Sequence, residues 1–218
     1  MRVSNLRKVG YNPFTMTETR DAEIQHLIGG VLCLNFANTL YGHDAPIHEY
    51  LYDYRDLVLW SRHVEILSPQ QTRTLLSKWE QVSFESEEVF RQAIQLREMI
   101  YRIFASLAHD ESPQEGDIVQ LHQDWIESQV HSKLIRTETG FAKVWGDENA
   151  LDSMLWRVTG SAIELLTSDE LDRVKQCGGC DWLFFDKSRN RSRRWCSMDA
   201  CGNRTKMARR YKREKQGT

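Results

Sequence analysis

CGGCDWLFFDKSRNRSRRWCSMDACGNR, residues Cys177–Arg204, holds four of the chain's five cysteines and six of its arginines and lysines. Two residues separate Cys177 from Cys180, four separate Cys196 from Cys201, and fifteen lie between the pairs. Paired thiols at such spacing in a reducing compartment point to a metal rather than to disulfides. Four thiolates around a redox-inert tetrahedral ion describe a closed structural site with no open position for a catalytic water, which predicts one structural Zn²⁺ held by Cys177, Cys180, Cys196 and Cys201. An iron–sulfur cluster and disulfides are the alternatives; the charged loop argues against the first and a cytoplasmic compartment against the second. Gly178 and Gly179 fill the first pair, where a sharp turn must expose its amides.

Charge is divided unevenly along the chain. Residues 187–218 carry twelve Lys and Arg against Asp199 and Glu214, a net +10, while the remainder has 17 basic and 29 acidic residues, a net −12. Such a split suggests a polyanion-binding tail on an acidic body. With 218 residues, two-fifths of them hydrophobic, the chain suits one medium domain and a small appendage. No apolar run approaches the roughly 20 residues of a membrane span. The start, MRVSNLRKVGYNPF, lacks the apolar stretch of a secretory signal. A cytoplasmic protein with no membrane partner is expected.

The fold class expected is α+β and mainly α: a helical body with a small β component, residues 1–172, followed by a finger, residues 173–218. In HLIGGVLCLNFANTLYG, the alternating Leu32, Leu34 and Phe36 after Gly29–Gly30 predict a buried strand over residues 31–36, the second arm of a hairpin. YRDLVLWSRHVEIL reads as a short helix. Ser68, Pro69 and Gln71 open another with a capping box. After Ser86, residues Val89, Ala93, Leu96, Ile100, Ile103 and Leu107 form one buried stripe. Ser112–Glu115 opens a further helix by the same box pattern, to about residue 130. KLIRTETGFAKVWG predicts a hairpin turning at Thr139–Gly140. Leu151, Leu155, Val158, Ala162 and Leu165 predict one more core helix, and Ser168–Glu170 caps a short helix leading into Cys177. Cys33 reads as core.

Within the finger, DWLFFDKS predicts a strand, and RNRSRRW a charged hairpin tip with its returning strand. Arg189, Arg191 and Arg193 alternate, so an extended chain places them on one face. In GNRTKMARRYKREK, Lys206, Arg209, Arg210 and Arg213 form one basic helical face, with Met207 and Tyr211 available to pack against the hairpin. Knuckle, hairpin and helix together predict a treble-clef-like or zinc-ribbon-like finger that needs its metal to fold.

CGNR at Cys201–Arg204, with the upstream CxxC and Trp195–Cys196, resembles the CGNR zinc-finger family. GGVLCLNFANT resembles the signature of the ABATE domain that precedes such fingers. The chain departs from that signature at Asn35, where an acid is usual, and at Ala37, where valine is usual. The resemblance implies zinc ligation by Cys177, Cys180, Cys196 and Cys201, and a DNA-binding role in transcription regulation under stress.

Nucleic acid is therefore the expected partner, DNA favoured over RNA. Arg189, Arg191, Arg193, Arg194, Lys206, Arg209, Arg210 and Arg213 are candidate contacts, chiefly to phosphate. Arg204 and Asn203 are candidate base readers, since Arg matches a guanine edge and Asn an adenine edge; the competing structural roles are a brace on a knuckle carbonyl for Arg204 and a helix cap for Asn203. Trp182 and Trp195, each beside a cysteine ligand, read as packing residues; base stacking by them would favour single-stranded RNA. A third reading makes the finger a protein-interaction module, with Trp182 and Phe185 as its contacts.

In the body, Asn35, Asn38 and Thr39 are the candidate lining of a small-molecule pocket, with ordinary turn chemistry as the preferred alternative. An unidentified effector and a second copy of the chain are further partners considered. His43, Asp44, His48, Glu49 and Asp53 do not have the HExxH spacing of a zinc protease helix and read as loop and helix-start residues. With no nucleophile elbow, phosphate-cradling glycine loop or triad in sight, no enzyme is expected.

Overall fold

The computed structural model describes residues 27–41, 48–147 and 149–216. His43 and Asp44 lie outside them. Among the described residues seven α-helices are joined by three two-stranded antiparallel pairs. In chain order they are α1 (Leu32–Ala37), β1 (Leu40–Tyr41), β2 (His48–Glu49), α2 (Tyr54–His63), α3 (Pro69–Gln81), α4 (Ser83–Ala108), α5 (Glu115–Gln129), β3 (Ser132–Thr137), β4 (Gly140–Trp145), α6 (Ser153–Leu166), β5 (Val174–Gln176), β6 (Leu183–Phe185) and α7 (Asn203–Gln216). The expected mainly helical α+β class with a C-terminal four-cysteine finger is the class observed. Among the described residues no helix is long and apolar enough to cross a membrane.

The stretch predicted as a strand over residues 31–36 is instead helix α1. Its buried positions are Cys33, Leu34, Phe36 and Ala37, at helical steps of one, three and four. A short apolar run fits a core strand or a core helix equally well by pattern. Here Asn35 breaks the tie: its side-chain Oδ1 accepts the Gly29 amide (2.8 Å) and its own amide donates to the Val31 carbonyl (3.0 Å), winding the chain rather than extending it. An added Cβ on Gly29 would stand 2.7 Å from the Asn35 amide nitrogen, so only glycine permits this closure.

Helix α4 runs through the middle of the body, burying Ala93, Leu96, Met99, Ile100, Ile103 and Phe104. The stripe read from the sequence is present, but the helix begins at Ser83 rather than after Ser86, whose hydroxyl bonds back to the Val82 carbonyl (2.8 Å). Around α4 lie α1, α2, α3, α5 and α6. Burial of each large apolar side chain contributes about 1.5–3 kcal/mol, so this cluster carries the body's stability. The capping box at Ser68 forms as its sequence specifies, with Gln71 closing it. The box read at Ser112 does not; α5 starts at Glu115 with no side-chain cap. The β3–β4 hairpin forms as expected, with its turn one residue earlier at Glu138–Thr139, so that Thr137 pairs with Gly140. Asp53 caps α2 through the Asp56 amide. Glu49 receives two hydrogen bonds from the buried Arg97 guanidinium, at 2.6 and 2.8 Å. Both acids thus have structural work to do.

The chain after residue 172 is built into the body rather than tethered to it. β5 packs on α4, and Val174 and Leu183 join the main core. Tyr101 on α4 donates to the Asp181 carbonyl (3.2 Å) and receives a hydrogen bond from Gln176 (2.8 Å). The Phe185 amide bonds to the Gly29 carbonyl (2.9 Å) and the Trp182 indole N–H to the Leu40 carbonyl (3.0 Å).

Candidate metal centre

The antiparallel pair β5–β6 brackets the first knuckle, aligning Gln176 with Leu183. Past Gln176 the Cys177 amide donates to the Trp182 carbonyl (2.8 Å), and the Asp181 amide folds back to the Cys177 carbonyl (3.2 Å). The residue that takes up the left-handed backbone is Asp181, at φ 61°, not one of the glycines. Gly179 is needed for a different reason: a Cβ there would sit 3.2 Å from the Cys201 Cβ. The knuckle presses its backbone against the second cysteine pair.

Leaving β6, the chain does not return as a strand. Asp186, fully buried, accepts the Ser188 amide on Oδ1 and the Arg193 amide on Oδ2, both at 2.9 Å. Burial alone would raise its pKa, but the hydrogen bonds from Ser188 and Arg193 outweigh it and hold the carboxyl below its usual range. The loop wraps around this carboxylate, and Arg191 takes a left-handed φ of 49°. Arg189, Arg191 and Arg193 therefore do not share the face that an extended chain would give them. A wide π-type turn, Met198–Gly202, delivers Cys201, and α7 follows directly.

All four thiols are buried, and their sulfurs lie within 4.8 Å of one another. Cys180 Sγ is 3.5 Å from Cys196 Sγ, and Cys196 Sγ is 3.7 Å from Cys201 Sγ. A tetrahedron of sulfurs around zinc at about 2.3 Å has edges of about 3.8 Å, so the donor set fits that ion. Without a cation so many thiolates repel. Hydrogen bonds from Cys180 and Cys196 hold Cys177 far below the ordinary thiol range, and the same bonds push Cys180 and Cys196 up as donors. Cys33 is remote in the core, its pKa pushed up to about 12 by burial.

Several cations foreseen as nucleic-acid contacts are occupied within the finger. Arg204 donates to the Gly179 carbonyl (2.5 Å) and lies 3.4 Å from Cys201 Sγ, so it braces the knuckle and places positive charge beside a thiolate. Arg193 donates to the Cys196 carbonyl (2.6 Å) and covers the Phe184 ring at 4.8 Å. Arg191 pairs with Asp172. Asn203 reaches back to the Asp199 carbonyl (3.4 Å). Arg189, Arg194, Lys206 and Arg210 are exposed, Arg210 pairing with Glu214 one turn on. Arg209 and Arg213 lie on α7, their side chains outside the described ones. Met207 and Tyr211 are exposed and do not pack on a hairpin.

Asn35, Asn38 and Thr39 each have a partner within the fold. Asn35 closes the turn on Gly29, Asn38 is bonded to Leu183, and the Thr39 hydroxyl donates to the Phe36 carbonyl (2.7 Å). Trp182 is buried against Tyr50, with rings 6.5 Å apart, whereas Trp195 is half-buried with Arg194 5.7 Å above its ring. Sequence reasoning missed Asp186 as organiser of the loop. The available signal was a lone carboxylate before a basic run, since Asp readily bonds amides ahead of it.

A comparison with curated protein sequences finds no match. Family profiles match twice: the CGNR zinc finger over residues 173–214 and ABATE, described as "Putative stress-induced transcription regulator", over residues 30–169. With the four cysteines gathered as that finger requires, the chain belongs to the ABATE family and carries its CGNR zinc finger at the C-terminal end.

Proposed function

We propose that this protein is a nucleic-acid-binding regulator, not an enzyme, whose finger is cross-linked by one structural Zn²⁺ and favours DNA over RNA. The observation that carries the reading is the division of labour among the finger's cations. Arg193 and Arg204 are spent inside the fold, while Arg189 and Arg194 on the loop and Lys206 and Arg210 on α7 face solvent on segments adjoining the cysteine cluster. Exposed guanidinium and ammonium groups on a rigid frame suit phosphate, which asks only for charge and reach. Zinc, when bound by Cys177, Cys180, Cys196 and Cys201, supplies the rigidity. Membership of a family described as a transcription regulator supports the same partner.

Replacing Arg189, Arg194, Lys206 and Arg210 together with alanine tests this. Duplex affinity at low salt drops by at least tenfold while zinc content and melting temperature hold. Unchanged affinity rejects the reading. Single-stranded RNA is the second reading, favoured by half-buried Trp195 beside Arg194, a place where a base could stack. Competition between duplex DNA and single-stranded RNA decides between them.

A further inference from the structure

Helices α4, α5 and α6 line a cleft of about 560 Å³ to which Asn35, Asn38 and Thr39 do not contribute. That volume is within the roughly 300–1,000 Å³ typical of small-molecule sites. Its base is apolar, formed by Leu96, Met99 and Leu155. One wall is aromatic: the His131 ring lies flat on Trp156, centroids 4.1 Å apart and planes within 4°, and Trp145 leans against the same indole at 5.9 Å.

The rim is acidic. Asp117, Asp124, Glu127 and Asp152 face the cleft, and Arg102 is the cation among its lining residues. Arg102 is already committed to Asp117, which accepts two hydrogen bonds from it at 2.9 and 2.6 Å. Among the described residues no cation pairs with Asp124, Glu127 or Asp152. Asp152 accepts the Trp156 indole N–H (3.1 Å), tying the carboxylate to the edge of the aromatic wall. A further polar group is left over: Thr159, 2% exposed, lines the cleft, and its hydroxyl has no hydrogen-bond partner among the described residues. That hydroxyl is open to a group entering the cleft.

An apolar base, an aromatic wall faced by His131, three carboxylates paired with no described cation and a hydroxyl on the lining together select a cation attached to an apolar or aromatic body. We propose that this cleft binds a small primary amine, its ammonium among Asp124, Glu127 and Asp152 and its body against the His131 ring that covers Trp156. Nothing in this assignment depends on what the finger binds. Helix α4 supplies the cleft with Leu96, Met99 and Arg102 and the finger with Tyr101, so a ligand here bears on the helix that holds the knuckle.

The test is titration calorimetry of the full zinc-loaded chain with tryptamine, phenethylamine and cyclohexylamine, with indole-3-propionate as the matched anion. At least one amine should bind saturably at one site per chain, and the anion should not. Glu127→Gln and Asp152→Asn should each weaken that amine on the order of tenfold, about 1.4 kcal/mol, with melting temperatures confirming that both variants fold. Thr159→Val gives an independent loss. Failure of all three amines to saturate, equal binding of the anion, or unchanged affinity in the folded carboxamide variants overturns the proposal.

Discussion

Asn38 and Leu183, separated by 145 residues, exchange two hydrogen bonds: the Asn38 amide nitrogen donates to the Leu183 carbonyl at 2.8 Å, and its oxygen accepts the Leu183 amide at 2.9 Å. One side chain thereby takes the place of a neighbouring strand along β6. Both residues are buried, so the bonds are not shared with water. This contact makes the finger's central strand part of the body's interior.

Truncation to Asn38→Ala leaves both Leu183 backbone groups unpaired in the interior, a loss of about 2–5 kcal/mol. Urea unfolding should show it, with body and finger signals still moving together. Asn38→Asp keeps the acceptor and loses the donor, so it should fall between the two. A loss below about 0.5 kcal/mol for the alanine variant, the range of an ordinary surface change, would mean that the docking is unimportant.

Gly29→Ala should be comparably harmful without removing any side chain. Its Cβ would meet the Asn35 amide at 2.7 Å and Asn35 Oδ1 at 2.8 Å, and the Gly29 carbonyl also holds the Phe185 amide. Overpacking of this kind costs about 1–3 kcal/mol. Thermal denaturation measures it, and a wild-type melting temperature would contradict the packing described.

Arg204 tests the distinction between a brace and a base reader. Arg204→Ala should weaken zinc retention by about tenfold or more in competition with a chromogenic chelator, the usual scale for losing a partner of the ligand shell. Arg204→Lys should restore only part of it, because an ammonium cannot bond the Gly179 carbonyl and approach Cys201 Sγ with one planar fork. Unaltered zinc retention with lost nucleic-acid binding would restore the base-reading role.

The thiols give a count and a pH dependence. Native zinc-loaded protein should show no fast-reacting thiol at neutral pH, chelation should expose four, and Cys33 should react only in denaturant, its pKa pushed up to about 12 by burial. Zinc must displace the protons that Cys180 and Cys196 retain, so apparent zinc affinity should fall as pH falls. In the metal-free protein these raised thiols stabilise the fold below the ordinary thiol range. That contribution is lost as pH rises from the ordinary thiol value toward about 12, where Cys196 ionises in the fold, so the metal-free melting temperature should drop between about pH 9 and 11. A constant melting temperature over that interval would contradict the assignment.

Some of this architecture was legible from residue pattern, for reasons that can be named. The four cysteines, the α4 stripe, the Ser68 box and the β3–β4 turn each rest on local chemistry that needs no distant partner. Helix α1 was misread because six residues, five of them apolar, hold no period long enough to decide, and Asn35 acts through Gly29. The returning strand after β6 was misread because Asp186 captures the loop's amides before a strand can form. Arg193 and Arg204 looked like surface charge, since sequence does not show which carbonyls a folded knuckle leaves within reach. The α4–α5–α6 cleft draws on three separate stretches of chain, and only folding brings them together.

Salt dependence of binding to mixed-sequence duplex DNA tests the central claim most directly, with the zinc-loaded chain compared with Cys196→Ser. The logarithm of affinity should fall linearly with the logarithm of salt concentration, by about 0.9 per phosphate and so roughly 4 for the four exposed cations. The Cys196→Ser chain should lose that binding. A flat salt response, or equal binding by Cys196→Ser, would contradict a zinc-ordered nucleic-acid surface.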